Sequence, residues 1–130
     1  MAGVYVDTSA LGRVLLGEPD APAIIRELAS FEQHVASRLL RVELRRLAVR
    51  EDIFQPADAL LNGIALLPID EATLAAAETV APAAVGTLDA IHLVTAVRLL
   101  NANLVDALMT YDARLADGAR LHGLAVLSPN

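Results

Sequence analysis

Two short apolar runs in this chain each stop on an aspartate: Gly3-Val4-Tyr5-Val6 at Asp7, and Ala107-Leu108-Met109-Thr110-Tyr111 at Asp112. Short apolar runs read as buried strands, and longer segments with helical periodicity lie between them. The pattern predicts strands at 4–6, 34–36, 65–69, 104–110 and 124–127. It predicts helices at 9–17, 22–32, 37–50, 56–65, 71–81, 88–101 and 113–120. Strands alternating with helices imply a parallel sheet covered on both faces. Ligands of such sheets bind beyond the carboxyl ends of the strands, near a topological switch point. Asp7 and Asp112 are expected at that edge. Thr8 or Ser9 can cap the first helix, which would leave Asp7 free of capping, and Ser37 is the expected cap of the third.

Length and composition narrow the function. The 130 residues suit a single domain, 1–130, with a core that needs no staples. There is no cysteine, which removes disulfides, thiolate zinc sites and a cysteine nucleophile and fits a reducing cytosol. No apolar run approaches the roughly 18–20 residues that span a bilayer. No basic segment precedes Asp7, so no signal peptide is expected and the protein reads as cytoplasmic, with no membrane partner. Aromatics are only 3%, too few for a base-stacking platform. All ten basic residues are arginine against 16 acidic ones, a net charge of −6. The missing lysine removes any mechanism built on an active-site lysine. Net acidity argues against tight non-specific nucleic-acid binding, so a nucleic-acid substrate would need a local basic patch or a metal.

Two more carboxylates fall inside the apolar stripes of predicted helices. At about 100° per residue, Glu43 shares a face with Leu39, Leu40, Leu44 and Leu47, while Arg38, Arg41 and Arg45 lie elsewhere. The bland alternative is an i,i+3 ion pair with Arg46, which leaves the leucine neighbours unexplained. Asp89 aligns with Leu93, Ala96, Val97 and Leu100, with Thr95 and Arg98 pointing away. Its alternative is a favourable interaction with the helix dipole in a first turn. Asp7 and Asp112 can likewise be explained singly as helix caps. Together, four carboxylates that cost several kcal/mol to bury unpaired suggest convergence around a cation. The histidines His34, His92 and His122 lack zinc-site spacing; His92 reads as a satisfied buried histidine one turn beyond Asp89. Oxygen-only donors favour Mg²⁺ or Mn²⁺, and a hydrolase acting on a phosphate substrate follows.

At these residues the chain resembles a PIN-domain ribonuclease of the VapC toxin type. The matching segments are Val6-Asp7-Thr8-Ser9-Ala10-Leu11, Arg41-Val42-Glu43-Leu44, Leu88-Asp89-Ala90-Ile91-His92-Leu93 and Thr110-Tyr111-Asp112, in order across nearly the whole chain. The resemblance implies a three-layer α/β/α fold with a five-stranded parallel sheet. It implies Mg²⁺- or Mn²⁺-dependent endonuclease action on RNA of the tRNA or rRNA class. Asp7, Glu43, Asp89 and Asp112 carry over as the candidate catalytic and metal-binding residues, with Thr8 and Thr110 as supporting hydroxyls. It also implies a homodimer and a cognate VapB-type antitoxin with a basic segment. Arg38, Arg41 and Arg45 are the candidate RNA contacts. Some family members carry a further acidic residue two positions after the fourth aspartate. Here that position is Arg114, with Asp117 one helical turn on as the candidate substitute, so one metal and two metals both stay open.

Other classes fit less well. A phospho-acceptor receiver domain needs a nearby lysine. A haloacid-dehalogenase-type phosphatase needs aspartate where this chain has Ser9. The competing reading is a catalytically inactive PIN-like binding module, against which the filling of all four acidic positions argues.

Overall fold

The computed structural model describes residues 3–130. Five strands alternate with seven helices: β1 (Gly3–Val6), α1 (Thr8–Leu15), α2 (Ala21–Ala29), β2 (Gln33–Ser37), α3 (Leu39–Glu51), α4 (Phe54–Leu61), β3 (Ala65–Leu67), α5 (Glu71–Ala77), α6 (Thr87–Asn101), β4 (Ala107–Met109), α7 (Ala113–Leu121) and β5 (Ala125–Leu127). All strand pairings are parallel and the sheet order is β3-β2-β1-β4-β5. The first strand therefore lies at the centre, with β2 on one side and β4 on the other. The chain builds outward from β1 to β3, then crosses back to β4, so the switch point falls between β1 and β4. The helices form two mutually packed groups, α1–α4 and α5–α7, which gives the three-layer α/β/α arrangement.

The central strands are buried on both faces, which is why they read as unbroken apolar runs. Val4, Tyr5, Val6, Leu108 and Met109 are fully buried, and Leu40, Leu44, Leu93 and Leu115 pack onto them from the helices. The outer strands β3 and β5 are short and only partly buried. Predicted elements 65–69 and 104–110 shrink to three residues each, because only those residues find ladder partners. The predicted helix 71–81 ends at Ala77, four residues early.

Gly12 fixes how closely α1 approaches α3. A Cβ there would lie 3.2 Å from Leu47 Cδ2, tighter than ordinary packing. Gly12 is one turn beyond Thr8 and Leu47 one turn beyond Glu43, so this contact also sets the distance between those two side chains. The stripe expected on α6 is too narrow. Every residue from Ala90 to Ala96 is buried, including Thr95, whose hydroxyl donates to the Ile91 carbonyl at 2.7 Å. Val97 and Leu100 are only partly buried.

Candidate active site

Asp7 leaves β1 directly into α1, almost wholly buried at 3% exposure. It is the N-cap of α1: Oδ1 accepts the Ala10 N–H at 3.2 Å and the Ser9 hydroxyl at 2.7 Å. Its Oδ2 accepts the Thr110 hydroxyl at 2.8 Å. Burial raises its pKa, against the hydrogen bonds from Ser9 and Thr110. The expectation that Thr8 or Ser9 caps this helix is therefore corrected. Thr8 is the first helical residue and Ser9 serves the aspartate. Ser9 also accepts the Tyr111 N–H at 2.8 Å, a role that neither spacing nor residue type announced.

Asp112 repeats the arrangement at the end of β4. Its Oδ1 accepts the Leu115 N–H at 2.8 Å as the N-cap of α7, and its own N–H donates to Thr110 Oγ1 at 3.0 Å. Both strand-end aspartates thus cap and also face the sheet edge. Ser37, the expected cap of α3, is instead the last residue of β2: the cap position is Arg38, which makes no side-chain cap bond, and Ser37 Oγ accepts the Leu39 N–H at 3.1 Å from one position further back.

Glu43 projects from α3 towards the same edge. Its Oε1 accepts the Thr8 hydroxyl at 2.7 Å and lies 2.6 Å from His92 Nε2. The alternative pairing with Arg46 is not what holds it; its partner is His92. Burial pulls the Glu43 carboxyl up, but the hydrogen bonds from His92 and the Thr8 hydroxyl leave it below its ordinary value of 4.5. His92 is buried at 1% exposure, and its Nδ1 lies 2.6 Å from the Tyr5 hydroxyl.

Asp89, in the first turn of α6, is half-buried and makes no hydrogen bond among the described residues. Its pKa is pushed up to about 6, first by burial, then by the negative charge of Asp112 and Asp7, with Glu43 adding to the same side and His92 opposing. Residues 7, 43, 89 and 112 are therefore brought into one electrostatic neighbourhood at the carboxyl edge of the sheet.

Whether such a neighbourhood suits a divalent cation turns on its donors. Among the described residues no three His, Cys, Asp or Glu side chains already form a metal-ligand set. The chemistry nevertheless fits: the donors are carboxylate oxygens, they repel one another, and Asp89 makes no hydrogen bond among the described residues. Asp7, Glu43, Asp89 and Asp112 are the residues that would hold it.

The arginines of α3 fall into two grooves. Arg46 and Arg50 share a groove with Thr8, Glu43 and Leu88. Arg38, Arg41 and Arg45 line a neighbouring groove with Val42, Val49 and Phe54. Arg38 is exposed, but Arg41 and Arg45 are only partly so, and Arg45 is tied to Asp58 and lies over the Phe54 ring. On the other flank, Arg13 lies 4.2 Å over the Tyr111 ring and pairs with Asp20 at 3.1 Å, in a groove that includes Thr8, Ser9 and Asp112. Asp117 is exposed and pairs with Arg120 at 3.4 Å.

This fold and edge are those of a PIN domain: the family profile matches residues 4–127, and the chain belongs to that family. Within it the chain is of the VapC type. It is 37% identical over 135 residues to Ribonuclease VapC47 of Mycobacterium tuberculosis, covering 97% of this chain and 96% of the relative. It is also 37% identical over 134 residues to Ribonuclease VapC46 of the same organism, covering 100% of both. Among solved structures the fold is similar to a chain of VapBC2 from Rickettsia felis bound to a DNA fragment from their promoter. That likeness has a TM-score of 0.73 and covers 98% of this chain and 99% of the other at 12% identity, a likeness of fold.

Proposed function

We propose that this chain is a divalent-cation-dependent endoribonuclease, the toxin of a VapBC-type pair, that hydrolyses RNA through Asp7, Glu43, Asp89 and Asp112. The observation that carries the reading is Asp89, a half-buried carboxylate without a hydrogen bond among the described residues, pushed up first by burial and then by three other carboxylates. Folding has gathered repelling charges that only a cation or protons can relieve. The names of the relatives, ribonucleases VapC47 and VapC46, agree with it. A bound Mg²⁺ or Mn²⁺ supplies a more acidic water and charge neutralisation at the phosphate. The chain's own residues do the rest. Asp7 is held rigid by Ser9, Ala10 and Thr110, and Glu43 by Thr8 and His92. Arg46 and Arg50 supply the local positive charge that an RNA phosphate needs beside an acidic edge.

The antitoxin reading rests on the same charge. A basic segment would find a complementary acidic edge, and complementary charge favours fast and specific association. Incubating purified protein with total RNA and Mn²⁺ or Mg²⁺, then sequencing new 5′ ends, tests the proposal. Hydrolysis by water leaves a 5′-phosphate and a 3′-hydroxyl. A 2′,3′-cyclic phosphate, or no cation-dependent ends at all, would sink it and favour the binding-module reading.

A further inference from the structure

We propose that Tyr5 and His92 are positioning residues that orient Glu43 through a directed hydrogen-bond chain starting at the Ser37 amide. The inference rests on the reading of Glu43 as part of the cation-binding group. Tyr5 is 0% and His92 1% exposed, so each polar atom must find its partner inside the protein. The Ser37 N–H can only donate, and it donates to Tyr5 Oη at 2.9 Å. The single tyrosine proton then goes to His92 Nδ1, 2.6 Å away. Nδ1 is thereby an acceptor, so the ring proton sits on Nε2 and is donated to Glu43 Oε1 at 2.6 Å. A doubly protonated ring would leave the tyrosine proton without an acceptor.

The two rings meet edge-on, with centroids 5.8 Å apart and planes at 75°, which restricts rotation of the imidazole. With Thr8 on the same oxygen, Oε1 has two donors, and Oε2 has none among the described residues. Glu43 thus turns one fixed oxygen inward and leaves the other for the shared edge. The chain also closes on itself in space. It begins at Ser37, the last residue of β2, passes through β1 and α6, and ends on α3, the helix that follows β2 directly. A purely packing role would be met by apolar side chains of the same volume, with no need for a fixed proton order.

The test uses the full chain as wild type, His92→Leu, His92→Gln and Tyr5→Phe, each checked for folding by circular dichroism. Long-range ¹H–¹⁵N spectra of His92 should give the Nε2–H tautomer in wild type and a mixture in Tyr5→Phe. Mn²⁺ affinity, read by electron paramagnetic resonance, should weaken roughly 10–100-fold in His92→Leu, the usual effect of losing a supporting group behind a ligand. His92→Gln, whose amide can donate to Glu43, should recover most of it, and RNA cleavage should follow the same order. An Nδ1–H tautomer in wild type, or a folded His92→Leu with unchanged Mn²⁺ affinity, overturns the inference while leaving the nuclease reading intact. Wild type that binds no Mn²⁺ overturns the cation site instead. The Glu43 carboxyl ¹³C shift then decides the positioning role: displaced in His92→Leu and restored in His92→Gln upholds it, and unchanged overturns it.

Discussion

Thr110 Oγ1 donates to Asp7 Oδ2 at 2.8 Å and so ties the end of β4 to the end of β1 across the switch point. The same oxygen accepts the Asp112 N–H at 3.0 Å, so one buried hydroxyl sets the spacing of both strand-end aspartates. Thr110→Val keeps the shape but leaves both buried groups a partner short. Stability should fall by roughly 1–3 kcal/mol, the cost of an unsatisfied buried polar group. Thr110→Ser should recover much of it. Urea unfolding checks this, and an unchanged midpoint in Thr110→Val would remove the hydroxyl from the account.

Glu43→Gln and Asp89→Asn should separate activity from stability. Cleavage is expected to fall by about 100-fold or more in both, since metal placement and alignment of the attacking water suffer. Their unfolding should move in opposite directions. Simple charge repulsion would make Glu43→Gln neutral or stabilising. The two donors on Oε1 and the lowered pKa of Glu43 point the other way, to a loss on the order of 1 kcal/mol. Asp89 has no such donors and is costly to ionise, so Asp89→Asn should stabilise the metal-free protein at neutral pH. Chemical denaturation at pH 7 with chelator is the measurement. Near-normal cleavage by folded Glu43→Gln would withdraw that residue from the metal site.

Metal-free stability should depend on pH with a definite sign. Asp89 has an ordinary value of 3.8 and about 6 when folded, so between these the native state holds a proton that the unfolded chain has released. Stability therefore declines as pH rises through that window. Asp7, also raised, acts in the same sense. Glu43, held below 4.5, acts oppositely and only towards the acid side. Tm in chelator should fall between about pH 4.5 and about pH 6.5, while Mn²⁺ should raise it at pH 7 and scarcely at pH 4.5. A Tm that climbs through the window without metal would contradict the shift assigned to Asp89.

RNA binding should grade along α3. Arg46→Ala and Arg50→Ala, in the Glu43 groove, should lower affinity most, each reducing the slope of log K against log salt by roughly 0.7. Arg38→Ala and Arg41→Ala should have smaller effects. Arg45→Ala should act mainly on folding, because its guanidinium is occupied by Asp58 and Phe54. Filter binding of RNA across salt concentrations with Ca²⁺ in place of Mg²⁺ tests the order, and equal losses at all five positions would count against the groove.

The fold was legible because buried parallel strands are written as uninterrupted apolar runs, and Val4 to Val6 could hardly be anything else. Glu43 was legible for a related reason, a charge set among Leu39, Leu40 and Leu44. Asp89 was noticed by a weaker argument. Helix α6 is buried nearly all round, so its stripe carried little directional information, and Thr95 was misplaced by it. What periodicity could not reveal were contacts between elements far apart in the chain. Tyr5 and His92 are 87 positions apart, and each alone reads as ordinary core. Arg46 and Arg50 escaped notice because the face of a helix nearest a groove depends on the angle at which its neighbours pack.

The position of β1 has a consequence for how such a protein is born. It is the first strand in the chain, the middle strand of the sheet, and it waits for β4 as its second neighbour. Chains fold as they are synthesised, from the N-terminus onward. A nascent chain can pair β1 with β2 and add β3, yet Asp7 keeps an open flank until Thr110 emerges, and the fourth carboxylate follows two residues later. On the proposed reading, a partially made or truncated chain lacks the complete carboxylate group until α7 is reached.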